Sequence, residues 1–207
     1  MASETLQQAI ALIKSDQLFE AMPLLNEVIE AQPENAAAYL HRAKIRRRLG
    51  DSQAAIADYT KAIRLAPTAE LYLSRALVRL EIKQFKGVIG DCREAVKLAP
   101  ELAGGHRLLG KALGLLGDGP GAIAAYKQAA RCYITNKEKG NAQACLDAIG
   151  PLQKLPPLPK FNAVQPFGSE EQKEGAPANV SPEDYMQRVQ LKYDAGEYAA
   201  AMKDLTW

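Results

Sequence analysis

Along the first 135 residues, helical patterns of apolar and polar positions come in pairs. A short turn joins each pair, as in Leu49-Gly50-Asp51 and Leu116-Gly117-Asp118. Gly permits the positive-φ end of a helix, and Asp can cap the one that follows. The pairs recur. Asp58-Tyr59-Thr60-Lys61-Ala62-Ile63-Arg64-Leu65-Ala66-Pro67 reappears 33 positions later as Asp91-Cys92-Arg93-Glu94-Ala95-Val96-Lys97-Leu98-Ala99-Pro100, and Tyr39-Leu40-His41-Arg42-Ala43 as Tyr72-Leu73-Ser74-Arg75-Ala76. Pro33, Pro67 and Pro100 punctuate the series and stop the second helix of a unit before the next begins. One helix pair cannot bury its apolar face alone, so such units stack around a continuous core.

The units resemble the tetratricopeptide repeat (TPR), whose 34 positions set an aromatic at 4, small residues at 8 and 20, an aromatic or Leu at 24, Ala at 27 and Pro at 32. Repeat one offers Ala9, Ala21, Leu25, Val28 and Pro33, and repeat two Tyr39, Ala43, Gly50, Ala55, Tyr59, Ala62 and Pro67. Repeat three offers Tyr72, Ala76, Val88, Cys92, Ala95 and Pro100, and repeat four Gly110, Gly117, Ala122, Tyr126 and Ala129. Repeat four departs with His106 at the aromatic position and Ile134 at the Pro position. The resemblance implies an all-α fold: a right-handed TPR superhelix (α-solenoid) of about four helix-turn-helix repeats with a capping helix, a Pro-rich linker and a partial C-terminal repeat. It also implies a protein-interaction role.

The expected domains are a solenoid with its capping helix over residues 1–150, a Pro-rich linker over 151–180 and a partial TPR-like helical hairpin over 181–207. The capping segment, 137–150, carries Ala144, Leu146 and Ile149 among its apolar residues. Seven of the twelve prolines lie between 151 and 182, a composition that cannot bury a core. Within it, Pro156-Pro157-Leu158-Pro159 has a P-x-x-P core. Tyr185, Arg188, Gly196, Ala201 and Leu205 restart the repeat pattern, which reaches Trp207 inside a second helix. That half repeat is expected either to continue in a longer protein or to dock on a TPR surface, in cis or across to a second copy. Arg42 and Asp58 stand 16 apart, as do Arg75 and Asp91, and Arg188 and Asp204, which predicts an ion pair recurring between the helices of a unit.

Charge and composition narrow the function. A formal net charge of +2 gives no overall field for nucleic acid, and the Arg46-Arg47-Arg48 run lacks the interleaved aromatics that stack bases. The apolar runs are too short for a membrane span, and Met1-Ala2-Ser3-Glu4 is not the start of a secretory leader. Cys92, Cys132 and Cys145 have no C-x-x-C spacing and read as buried small hydrophobes in a reducing, cytoplasmic setting. Gly105-His106-Arg107-Leu108-Leu109-Gly110-Lys111 imitates a phosphate loop, but Ala112 stands where Ser or Thr should hold the metal, and the stretch falls in a helix. His41 and His106 lie two repeats apart with no adjoining ligands. No catalytic, cofactor or metal site is expected.

In the TPR arrangement the first helix of each unit lines a concave groove, through positions 2, 5, 6, 9, 12 and 13. The resemblance therefore implies a peptide-binding groove built on Leu40, His41, Lys44, Arg47 and Arg48 of repeat two, Leu73 and Leu77 of repeat three, and Arg107 and Lys111 of repeat four. Leu80, Leu108 and Leu115 are further apolar residues of that face. The carboxylate clamp of chaperone adaptors in this family needs Lys and Asn, then Asn, then Lys and Arg on three successive first helices. The corresponding residues here are Leu6, Ile10, His41, Glu70 and Ser74, or Leu40, Lys44, Ser74, Gly104 and Leu108, so that clamp is not implied. Residues 1–34 hold one cation against six anions and residues 35–67 seven cations against two, which favours an acidic segment. The expected function is a scaffold, adaptor or assembly factor gripping an extended peptide or helix of a protein partner. The alternative is a regulatory or targeting module of a longer protein or enzyme that continues past Trp207.

Overall fold

A computed structural model describes residues 2–153. The expected linker beyond them, the partial repeat and the Arg188–Asp204 pair lie outside the described residues. Ten helices follow in order: α1 Ala2–Lys14, α2 Leu18–Ala31, α3 Ala36–Arg48, α4 Ser52–Leu65, α5 Ala69–Glu81, α6 Phe85–Leu98, α7 Ala103–Leu115, α8 Gly119–Thr135, α9 Lys139–Asp147 and α10 Ile149–Gln153. The first eight form four hairpins, each made of an A helix and a B helix. Each B helix packs against the A helix that follows it.

The corner within each hairpin is built the same way. The second of its three residues lies in the left-handed region: Asp16 (φ 65°), Gly50 (84°), Lys83 (59°) and Gly117 (78°). The next amide then donates to the carbonyl five residues back, from Gln17 to Leu12, Asp51 to Arg46, Gln84 to Arg79 and Asp118 to Leu113, at 2.8–2.9 Å. This satisfies a carbonyl that the ending helix leaves without a partner. As the sequence suggested, the Asp51 and Asp118 carboxylates cap α4 and α8 by accepting from the amides of Ala54 and Gly121.

Small residues set the helix spacing. Ala9, Ala43 and Ala76 on A helices and Ala21, Ala55 and Ala122 on B helices are fully buried. In repeat four the A-helix position is Gly110, and a Cβ there would meet the Tyr126 ring at 3.0 Å. Each A helix also gives one side chain to the preceding unit. Ile45 packs with Ala9, Ala21 and Leu25, Val78 with Ala43, Ala55 and Tyr59, and Ala112 with Ala76, Val88 and Cys92. The core is therefore continuous from one unit to the next.

The proline punctuation explains the end of the solenoid. Helices α2, α4 and α6 each have 14 residues and stop just before Pro33, Pro67 and Pro100. With Ile134 at that position, α8 runs on to 17 residues. The helix that follows is displaced in register by three residues. The cap's buried residues are accordingly Ala142, Cys145 and Ile149, while Ala144 and Leu146, named with Ile149 among the segment's apolar residues, are exposed. With that offset, Ala142 and Ile149 correspond to Gly105 and Ala112, so α9 with α10 stands as a fifth A helix. It is broken where Pro151 has no N–H for the Asp147 carbonyl and its ring crowds that carbonyl. The fold reaches Gln153, past the boundary expected at 150.

Candidate binding face on the A helices

Three contacts show that neighbouring A helices share a face. The Arg47 guanidinium on α3 donates to Glu81 on α5 from Nε (2.9 Å) and from its terminal nitrogen (2.6 Å). A Leu73 methyl on α5 lies 3.6 Å from where a Cβ on Gly104 of α7 would stand. A Leu152 methyl on α10 lies 3.3 Å from the same place on Gly114. Arg47–Glu81 and Gly114–Leu152 occupy equivalent positions of successive units, one ionic and one apolar.

The residues singled out from the sequence divide on this face. Lys44 and Lys111 are exposed and have no ion-pair partner among the described residues. Leu40, Leu73 and Leu77 are half-buried, Leu40 against the core of repeat two and the other two against that between repeats three and four. Arg47 is neutralised by Glu81, and Arg48 pairs with Asp16 at the corner of repeat one. Arg107 is exposed and donates from Nε to the Tyr133 hydroxyl at 3.2 Å. Burial, and then the nearby Lys44 charge, hold His41 below the usual imidazole range. Leu108, expected on the face, is instead buried with Ala76, Val88, Cys92 and Ala112. Gly105, whose added Cβ would come within 2.9 Å of Val96, lets α7 approach α6 closely enough to sink it.

Beneath the face, Tyr59 shares a hydrogen bond with Ser74, and burial pushes its phenol above the ordinary tyrosine range. Two further clusters link A and B helices. Asp58 accepts from Arg42 Nε (2.9 Å) and a terminal Arg42 nitrogen (2.8 Å), and from Arg46 (2.8 Å); the other Arg42 nitrogen donates to Asn26 of α2 at 2.8 Å. Asp91 repeats this with Arg75 (3.1 and 2.6 Å) and Arg79 (2.8 Å), while Arg75 also donates to Thr60 at 2.8 Å. The two predicted pairs are present, each within a larger cluster. Arg46 and Arg79 were missed, although they too recur 33 positions apart, one helical turn after the first arginine. The Asn26 and Thr60 partners, 34 apart, differ in residue type and so left no repeated letter to follow.

Among the described residues, no group of three His, Cys, Asp or Glu side chains could hold a metal, and no helix is long and apolar enough to cross a membrane. The three cysteines are free and buried, and burial with the neighbouring Asp91 charge pushes the Cys92 thiol up to about 12. The arrangement is a ribbed surface of side chains.

Residues 6–70 match the family model described as the tetratricopeptide repeat. The chain thus carries TPR repeats, units that generally serve as protein-interaction modules. No curated protein matches it in sequence. Among solved structures it is similar to the MamA protein (17% identity, TM-score 0.60, 73% of this chain and 91% of that one). MamA residues 41-end from Desulfovibrio magneticus RS-1 give 19% identity and a TM-score of 0.59, over 73% and 94% of the two chains. YrrB, described as a TPR protein with an unusual peptide-binding site, gives 18% identity and a TM-score of 0.58, over 74% and 87%. At these identities the likeness is one of fold.

Proposed function

We propose that the chain is a non-enzymatic adaptor that grips a segment of a partner protein on the A-helix face of repeats two to four, in a reducing, cytoplasmic setting. The observation that carries this reading is the pairing of unneutralised cations, Lys44 and Lys111, with half-buried leucines on one face of adjoining A helices. On α3 and α5 every arginine is committed to a carboxylate, so Lys44 is the cation of those two helices left to a ligand. Leucine surface left half-exposed beside free ammonium groups suits a ligand with carboxylates and an apolar anchor. The YrrB description supports the use of such a scaffold for peptides.

The double variant Lys44→Glu/Lys111→Glu tests the reading, because both side chains are exposed and make no ion pair that the fold would lose. With cell extract from the source organism, the wild-type protein should recover partners that the double variant does not, at an unchanged melting temperature. Equal recovery by both proteins would reject the face as the binding site.

A further inference from the structure

Lys44, Leu77 and Lys111 occupy the same position of three successive A helices, 33 and 34 residues apart. They form a row across α3, α5 and α7, with cations at the ends and a half-buried leucine in the middle. On α5, Leu73 and Leu80 flank Leu77 one turn to either side, and all three pack on the same core. Arg107 stands one turn from Lys111 and adds a second cation at the α7 end. The carboxylates nearest the row do not neutralise it. Glu81 is held by Arg47, and Glu70 lies two helical turns from Leu77 at the far rim of α5.

The row has a length as well as a sign. Helices in contact stand about 8–10 Å apart, and the Arg47–Glu81 and Leu73–Gly104 contacts between successive A helices put each step along the row near that length. A polyproline II segment rises about 3.1 Å per residue with three residues per turn, so it returns to the same face about every 9.3 Å. A β-strand points every second residue to one side, about 6.6 Å apart, and falls out of step with the helices. An α-helical ligand covers about 9 Å only in six residues, which is not a whole number of its turns.

On this basis, and resting on the adaptor reading above, we propose that the row recognises a polyproline II segment of pattern acidic-x-x-apolar-x-x-acidic. One carboxylate meets Lys44, a leucine-sized side chain lies in the Leu73–Leu77–Leu80 strip, and the second carboxylate meets Lys111 with Arg107 beside it. The spacing of the three anchors, and not the overall acidity of the ligand, is what the solenoid reads.

Capped synthetic peptides with Glu at residues one and seven, Leu at four and Pro or Ala between would be titrated against the full chain by fluorescence anisotropy. They would be compared with peptides of identical composition whose glutamates are three, four or nine apart. The six-residue separation should bind at least tenfold more tightly than any other. Lys44→Gln and Lys111→Gln should each weaken it by a similar factor while levelling the preference for spacing. Equal affinity for every spacing, or indifference to Lys111→Gln, would overturn the spacing rule. In that case, binding still lost in Leu77→Ser would leave the adaptor reading standing. If none of these peptides binds, sequences selected from a random peptide display library would decide. Selected peptides that need Leu77 but lack the period-three pattern overturn the rule alone, and selected peptides indifferent to Leu77, Lys44 and Lys111 overturn the reading as well.

Discussion

Repeats three and four join their A and B helices at equivalent positions by opposite chemistry. In repeat three, Arg75, Arg79 and Asp91 form a buried ionic cluster that extends to Thr60 of the unit before. In repeat four the corresponding residues are Leu109, Leu113 and Ala125, packed together with Ile89 and Leu152. Both arrangements hold a hairpin of the same form. The backbone geometry thus does not require the charges, and what they add must lie elsewhere. A forked guanidinium on a carboxylate accepts few alternative geometries, whereas leucines can repack. The ionic clusters hold the middle of the solenoid, in repeats two and three. The apolar version stands where α10 closes the array.

The largest expected effect comes from breaking one cluster halfway. Asp91 is 2% exposed, and the Asp91→Ala variant leaves two guanidinium groups partly buried without their carboxylate. A loss of about 3–5 kcal/mol is expected, because an uncompensated buried charge costs more than the pair contributes. Replacing the whole cluster with repeat four's residues, Arg75→Leu/Arg79→Leu/Asp91→Ala, should be far milder, between neutral and a gain of about 1–4 kcal/mol. Urea unfolding of both proteins checks the comparison. A triple variant as unstable as the single one would show that the two chemistries are not interchangeable at this position.

That comparison also marks where the sequence was legible. Ion pairs between helices could be read because Arg42 with Asp58 and Arg75 with Asp91 repeat as identical letters at one spacing. The small-residue positions could be read for the same reason. Arg46 and Arg79 repeat in the same way and were passed over; the rest of what was missed depends on contacts that no repeated letter records. Leu108 sits at a face position and is buried because Gly105 draws α7 toward α6, an effect of a different residue on a different surface. Which of the cap's apolar residues are buried could not be read, because its phase depends on where α8 ends. The missing proline at Ile134 was visible, but its consequence, three further residues of helix, follows only from the backbone. On the A-helix face the residue types could be read directly. That Arg47 and Arg48 are taken by Glu81 and Asp16 was not, since those partners lie 34 and 32 residues away.

A second, smaller test uses the hairpin corners. The left-handed residue is Gly117 in repeat four and Lys83 in repeat three, with φ of 78° and 59°. A side chain in that region crowds the following carbonyl, at a cost of about 1–2 kcal/mol. Lys83 is exposed and makes no ion pair among the described residues, so Lys83→Gly should stabilise the fold by about 1 kcal/mol, less the extra chain entropy that glycine brings to the unfolded state. Asp16→Gly at the corner of repeat one relieves the same strain but also removes the pair with Arg48, and should gain less. A higher urea midpoint for Lys83→Gly than for wild type, at an unchanged slope, is the expected result. An unchanged or lower midpoint would mean that the corner is no easier to close with glycine.

The smallest expected effect concerns one position that titrates in repeat two and cannot in repeat four. His41 and Leu108 are equivalent, and burial together with Lys44 holds the His41 imidazole below its ordinary value. A base whose folded value is depressed binds fewer protons in the folded state than in the unfolded one. Stability from it is therefore fully present above the unfolded value of about 6.5 and is lost as the pH falls toward the folded value. The variant His41→Leu gives repeat two the residue that repeat four carries and should remove that slope. Between pH 7 and pH 5 the wild-type melting temperature should fall more steeply than the variant's, with the two curves nearly parallel above pH 7. Because the carboxylates also titrate toward pH 5, the difference between the curves, and not either curve alone, reports His41. A control with Lys44→Gln separates the two causes: if the lysine contributes, the wild-type slope should shrink without disappearing, since burial remains. Identical curves for wild type and His41→Leu would show that the imidazole is as free to take a proton in the fold as in the unfolded chain, and that the A-helix face of repeat two is more open to water than its packing indicates.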